Sequence, residues 1–330
     1  MKLSVTVILI TLNDEKILPD CLDSIRRQKY SGKVKISIVD GGSFDDTVKI
    51  AKKYGADLLS RPDLIDSPQE RAQIGIRSIQ SDIAVFFSAD NRFLEDSCLS
   101  EMVKPFENDK IAVVETFRYG FFPSSTLLTK YFALIGGADP IAVELGKADR
   151  APFDVESWHS FGVAKNRNGY FDVKFKADPN KIPTLGANGV AIRNSLLKKY
   201  PIRDALHTEM CIEFIMKGYH VGFARNAHIV HEITSDLISF CKRRLHWATL
   251  YSSSNIRRTY NVFSFQNDFT KLLFIVISSI TFVFPFARSL RGYFKYPHLA
   301  WFIHPFILFI FVVAYGIQVV SNFFRKIRGI

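Results

Sequence analysis

The chain has 330 residues, more than one typical domain, and a formal net charge of +11 beside a hydrophobic fraction of 48%. That pairing indicates a basic protein near a membrane, although Lys and Arg attract anionic lipid heads, sugar nucleotides and nucleic acids alike. Cys21, Cys98, Cys211 and Cys241 lie far apart with no C-x-x-C or metal-ligand spacing, which excludes a zinc or dithiol motif and reads as reduced, mostly buried thiols.

Lys2 followed by an apolar run resembles a short signal sequence, but the run meets acidic residues at once and lacks a small-residue cleavage site. The stretch reads instead as a first core strand, of a domain made without export and therefore cytosolic. Val5 to Ile10 is β-branched and uncharged, as a parallel strand buried on both faces requires, and it stops at Thr11-Leu12-Asn13-Asp14-Glu15. Ile17, Leu18, Cys21, Leu22 and Ile25 follow at helical spacing, so a helix crosses the sheet before Val34 to Val39 returns as a parallel strand ending at Asp40. Four such alternations fill the first 115 residues, with strands near 4–10, 34–39, 57–60 and 83–87 and helices near 15–28, 45–54 and 68–79. They predict a doubly wound α/β domain, whose ligands gather at the carboxyl edge of the strands. Asp45 or Asp46 is placed to cap the second helix, Gly55 to end it, and Ser67-Pro68 to open the third. The strand "IAVFFSAD" brings Asp90 to the same edge as Asp40, and a divalent cation is the simplest reason to set an acid beside a pyrophosphate there.

Residues 117 to 182 are aromatic and glycine-rich, with "FRYGFF", "IGGADP" and "NRNGYF" as loops or hairpins. "TLGANGVAIRNSLL" then predicts a glycine turn, a short strand and a helix, and "TEMCIEFIMKG" a further helix before the apolar "YHVGFA". Toward the end, Leu272 to Ala287 carries no charge and Leu299 to Phe324 no Lys, Arg, Asp or Glu. Both read as membrane segments, the second long enough to span and the first spanning, tilted, re-entrant or interfacial. Basic residues flank both ends, so the positive-inside rule does not discriminate; the flanks are assigned to the cytosol with the catalytic domain, at the cell membrane.

The opening apolar strand, the turn with Thr11, Asn13 and Glu15, "CLDSI" and "VDGGSFDDT" together resemble the inverting glycosyltransferases of family 2, with their GT-A nucleotide-sugar fold and mixed central sheet. The resemblance is dense to about residue 115 and thinner as far as Trp247. It implies a nucleotide-sugar-binding half over 1–115, an acceptor-binding and catalytic half over 116–240, a basic amphipathic interfacial segment over 241–268 and a membrane hairpin over 269–330. It further implies that Asp40 recognises the nucleotide base, that Thr11, Asn13 and Glu15 line that pocket, and that Asp66 and Arg71 help to hold the donor. Arg71 also reads as a residue of a solvated helix face.

The family's Asp-x-Asp metal motif stands here as Ser88-Ala89-Asp90, with Asp90 in the second, metal-contacting position. His231, in preference to His228, matches a metal-binding His after the last strand, so the cofactor implied is Mg²⁺ or Mn²⁺. Glu209 lies nine residues before Gly218, the spacing of the catalytic base in polyprenyl-phosphate glycosyltransferases; Asp204, His207 and Glu213 are alternatives. Arg243 and His246-Trp247 resemble the family's Q/R-x-x-R-W motif. With Arg244 they imply contacts to the diphosphate or the acceptor, on a basic amphipathic interfacial helix.

The activity implied is transfer of one sugar from a nucleotide diphosphate sugar to a lipid-linked acceptor such as polyprenyl phosphate. Extension of a lipid-linked or surface polysaccharide, and an inactive nucleotide-sugar-binding scaffold, are the alternatives. No G-x-G-x-x-G follows the first strand, which argues against a nicotinamide dehydrogenase, and the crowding of basic residues beside the apolar tail argues against nucleic-acid binding.

Overall fold

The computed structural model describes residues 2–156, 162–200, 207–233, 236–253, 260 and 263–328. The chain opens with β1 (Val5–Thr11), α1 (Leu18–Arg26), β2 (Val34–Asp40), α2 (Thr47–Lys53), β3 (Asp57–Ser60), α3 (Pro68–Ser78) and β4 (Ile83–Ser88). Next come β5 (Asn91–Phe93), α4 (Cys98–Val103), β6 (Ile111–Tyr119), α5 (Leu127–Ile135), α6 (Pro140–Glu144), β7 (Gly162–Arg167) and β8 (Tyr170–Phe175). It continues through β9 (Val190–Arg193), α7 (Asn194–Lys199), α8 (His207–Met216), β10 (His220–His231) and α9 (Leu237–Ser253). The last helices are α10 (Phe265–Thr281), α11 (Val283–Lys295) and α12 (His304–Arg328). These elements group into two units, Met1–Pro123 with His159–Glu232 and Ser124–Trp158 with Ile233–Ile330.

The first unit holds one ten-stranded mixed sheet in the order β3-β2-β1-β4-β9-β6-β10-β8-β7, with β5 paired to β10. Strands β1 to β4 are parallel, as the uncharged apolar runs of β1 and β4 lead one to expect, and Val5, Val7 and Leu9 of β1 have no exposed surface. Burying each such side chain contributes about 1.5–3 kcal/mol. The mixed character comes from β9, which runs antiparallel between β4 and β6, and from β5, β8 and β7, whose pairings are also antiparallel. Gly55 ends α2 at φ 66°, as read, and "NRNGYF" turns between β7 and β8 at Gly169, φ 89°. The α2 start differs in detail: Asp46 is the cap residue without a side-chain bond, while Asp45 Oδ1 accepts the Thr47 N–H at 3.0 Å. All four cysteines are free and buried.

In the second unit Gly136 ends α5 in the left-handed region and Asp139, followed by Pro140, caps α6 through the Ile141 and Ala142 N–H groups. Among the described residues one helix, Leu299–Ser321, is long and apolar enough to cross a membrane. The expected segment Leu272 to Ala287 is not a single helix. It breaks at Phe282, φ 61°, where the axes of the two flanking helices differ by 86°. Leu273, Phe274, Ile277 and Ile280 of α10, Val283, Phe284, Phe286 and Phe294 of α11, and Phe306, Ile310 and Ile317 of α12 are exposed. Several charged groups of this unit pair with one another. Arg288 pairs with Glu144 and Asp154, Arg291 with Asp154, Lys147 with Asp268 at 2.7 Å, and Arg244 with Asp139 at 3.4 Å. Burial opposes ionisation of Glu144, but Arg288 and His304 outweigh it and hold its pKa down at about 2.

Candidate functional site

The pairing register sets Thr11 opposite Asp40 and Ile10 opposite Ser88, so the three strand ends meet at one carboxyl edge. Asp40 is fully buried there. Its Oδ1 accepts the Gly42 and Ser43 N–H groups at 2.9 and 2.8 Å, and its Oδ2 accepts the Thr11 and Ser43 hydroxyls at 2.9 and 2.5 Å. Four bonds occupy this carboxylate, which thereby shapes the turn; a nucleobase N–H would reach it by replacing one of the two hydroxyls.

The neighbouring turn is stitched to the same loop. Asn13 donates its N–H to Ser43 Oγ at 2.9 Å and accepts the Phe44 N–H at 3.0 Å, using a left-handed backbone of φ 57°. Glu15 donates to Asp45 Oδ2 at 3.1 Å and accepts the Asp46 N–H at 3.0 Å. These two motif residues therefore align the two loops, and their clamp presents Phe44, 89% exposed, at the loop tip.

Arg71 of α3 is buried, not on a solvated face. Its Nη1 donates to the Thr11 carbonyl at 3.3 Å, and its Nε has no hydrogen-bond partner among the described residues. Burial pulls its pKa below the usual arginine range, against the opposing pull of Asp40, Asp14 and Asp66. Gly41 makes this position available, because a Cβ on it would lie 1.4 Å from Arg71 Nη1. Asp66 itself is exposed, just before α3.

The acid after β4 gains a partner from far along the chain. β5 pairs antiparallel with the end of β10, placing Asn91 opposite His231. His231 Nε2 then lies 3.3 Å from Asp90 Oδ2, and Glu232 N–H donates to the Asp90 carbonyl at 2.9 Å. Ser88 is exposed and donates its N–H to Asn91 Oδ1 at 3.2 Å. His228, the lesser candidate, is taken up by Glu95 at 2.7 Å. Among the described residues no three His, Cys, Asp or Glu side chains converge on a metal position, so Asp90 and His231 are the protein donors at hand.

Asp14 was not singled out by its motif position. Burial first, then the charges of Asp90, Asp45 and Asp40, push its pKa up to about 6. Its spacing in sequence carries no sign of that crowding, which comes from the loops that follow β2 and β4.

Glu209 is half-buried in the first turn of α8, a helix packed on β6 and β10. Asp204 lies outside the described residues. In α9 the Arg243 guanidinium sits 5.7 Å over the Phe240 ring, Arg244 is engaged by Asp139, and the side chains of His246 and Trp247 lie outside what the structure describes. A cavity of about 470 Å³ opens at the opposite, amino edge of the sheet beside Ser4, Lys33 and Lys35, and includes none of the site residues.

A parallel β1–β4 sheet with loops joined at its carboxyl edge, an antiparallel β9 and an acid after β4 define a GT-A-like fold. The mannosyltransferase PcManGT from Pyrobaculum calidifontis, solved in complex with GDP-Man and Mn2+, shares that fold, with a TM-score of 0.57 over 98% of this chain and 88% of the other at 14% identity. The family model described as glycosyl transferase family 2 matches residues 6–200, and the chain belongs to that family: it is a glycosyltransferase. The PGL/p-HBAD biosynthesis glycosyltransferases of Mycobacterium tuberculosis and Mycobacterium bovis are 32% identical over 101 residues, or 29% of this chain. The match covers 39% of those relatives' length.

Proposed function

We propose that the protein is an inverting glycosyltransferase that moves one sugar from a nucleotide diphosphate sugar to a lipid-linked acceptor, polyprenyl phosphate being the simplest. The observation that carries the reading is the convergence of Asp90 and His231 at the strand edge where buried Arg71 keeps an unpartnered Nε. A carboxylate oxygen and an imidazole nitrogen suit Mn²⁺ or Mg²⁺ as donors, and the bound cation would neutralise the departing diphosphate. Arg71 Nε adds a fixed donor for a phosphate oxygen. Thr11, Asn13, Glu15, Asp40 and Asp66 form and flank the base side of the pocket, and Ser88 leaves room where relatives carry a second acid.

In the transfer, an acceptor oxygen bonds to the anomeric carbon as the bond from that carbon to the diphosphate oxygen breaks, releasing the nucleoside diphosphate. A hydroxyl acceptor gives its proton to Glu209; a phosphate acceptor arrives as an anion and needs no base. Arg243, Arg244 and Trp247 belong to the acceptor side, with Arg244 acting through Asp139. A lipid-borne acceptor is favoured by the second unit, where apolar side chains of α10, α11 and α12 are exposed while Lys147, Asp154 and Asp268 are buried. The protein then resides at the cell membrane with its catalytic unit in the cytoplasm.

Full-length protein incubated with GDP-mannose or UDP-glucose, polyprenyl phosphate and Mn²⁺ is expected to yield a glycosylated lipid. Chelation abolishes the product and Asp90→Asn lowers its rate at least about 100-fold. No glycolipid under any donor and metal combination rejects the proposal, and sugar added only to saccharides already on a lipid diphosphate favours polysaccharide extension instead.

A further inference from the structure

The turn between β8 and β9 is built for one side chain. Gly186, Asn188 and Gly189 all have positive φ, at 93°, 53° and 86°, and a Cβ on Gly189 would lie 2.1 Å from Ile229 Cδ1. Gly186 N–H donates to the fully buried Glu115 at 2.6 Å, anchoring the turn. After glycine, Asn is among the residues that adopt this region most readily, so the turn can carry an amide at this position.

Asn188 projects into the group formed by Asp90, Asn91 and His231. The orientation of the amides follows from the backbone. Ser88 N–H donates to Asn91 Oδ1, so Asn91 Nδ2 turns the other way and donates to Asp90 Oδ1 at 3.2 Å and to Asn188 Oδ1 at 3.3 Å. The Asn188 Nδ2 group is thereby left facing Tyr119 OH at 3.2 Å and His231 Nδ1 at 3.3 Å. An amide NH₂ can only donate, so His231 Nδ1 accepts and the ring proton sits on Nε2, 3.3 Å from Asp90 Oδ2.

We infer that Asn188 is a positioning residue that decides which ring nitrogen of His231 carries the proton, and so whether Nε2 presents a proton beside Asp90 or a lone pair to a cation. A metal at Nε2 needs the lone pair there, hence a proton on Nδ1 and an acceptor in the place now held by the Asn188 NH₂. Reversing the amide would supply that acceptor at the expense of the bond from Asn91. The cation part of this inference rests on the proposed donor roles of Asp90 and His231; the proton assignment does not.

Long-range proton–nitrogen NMR correlations of the imidazoles, on full-length protein in detergent without metal, read the proton position directly. Asn188→Gly and Asn188→Asp both tolerate positive φ and keep the turn. The wild type is expected to carry the His231 proton on Nε2 alone, Asn188→Gly to give a mixture, and Asn188→Asp to place a proton on Nδ1. Titration with Mn²⁺ alone, followed by the electron paramagnetic resonance of the free ion, is expected to show Asn188→Asp binding at least about tenfold tighter than wild type. An unchanged Nε2 proton in Asn188→Gly, an unprotonated Nδ1 in Asn188→Asp, or a gain in affinity with no change of tautomer overturns the inference. Proton positions that follow Asn188 while neither wild type nor Asn188→Asp binds Mn²⁺ uphold the positioning role and reject the cation site.

Discussion

Asp14 donates its N–H to Thr47 Oγ1 at 2.8 Å and accepts the Leu12 N–H at 3.0 Å, yet its carboxylate is half-buried among three other acids. Its pKa of about 6 exceeds the value near 3.9 of an unfolded chain. Between those values the native state binds more protons than the unfolded one, so stability falls as pH rises through the window and stays lower above it. Asp14→Asn keeps the acceptor for Leu12 and removes the charge. In chelator, it is expected to stabilise the protein by about 1–3 kcal/mol at pH 8 and by almost nothing at pH 4. Denaturant melts at the two pH values check this, and a gain of equal size at both contradicts it. The motif residues around Asp14 were legible in the sequence because each sits at a fixed place in a strand-turn pattern. Asp14 was not, since desolvation depends on loops thirty and seventy residues away. Asn188 escaped for a related reason: its role rests on the orientation of two amides.

Among elements, β1 to β4 and α1 to α3 follow from alternation of apolar runs with amphipathic periods, and they lie where that pattern put them. β5 is three residues long, too short for a period to register, yet it brings His231 to Asp90, whereas the four-residue β9 was legible from the glycine turn before it and the helix after it. The break at Phe282 was equally hidden, as apolar composition runs unbroken across it. Phe282 is held there by ring contacts with Phe306 and Phe309. Beyond the break, α11 is seated by Gly292, where a Cβ would lie 2.4 Å from the Trp301 ring, itself fully buried. Gly292→Val is expected to cost about 1–3 kcal/mol through overpacking. A lowered thermal midpoint in detergent is the readout, and an unchanged one would contradict this packing.

For the molecule as a whole, the net charge of +11 suggested attraction to acidic surfaces, but Arg244, Arg288 and Arg291 spend theirs on internal carboxylates. Attachment through the apolar exterior predicts little dependence on salt, since screening at about 1 M leaves hydrophobic burial intact. Vesicles carrying the protein should retain it through a wash of about 1 M salt and an alkaline carbonate wash. Release by salt alone would instead point to an electrostatic, peripheral mode.

The chain enters the second unit twice, first with Ser124–Trp158 and again from Ile233 onward. During synthesis the acids Asp139, Glu144 and Asp154 therefore leave the ribosome well before Arg244, Arg288 and Arg291. At about 5–20 residues per second the delay is on the order of ten seconds. Through that interval the early segment carries unmatched carboxylates and an apolar face with nothing to cover it. A stop codon after Glu232 would make the interval permanent: producing the first unit alone calls for excising both pieces, with a linker joining Pro123 to residue 162.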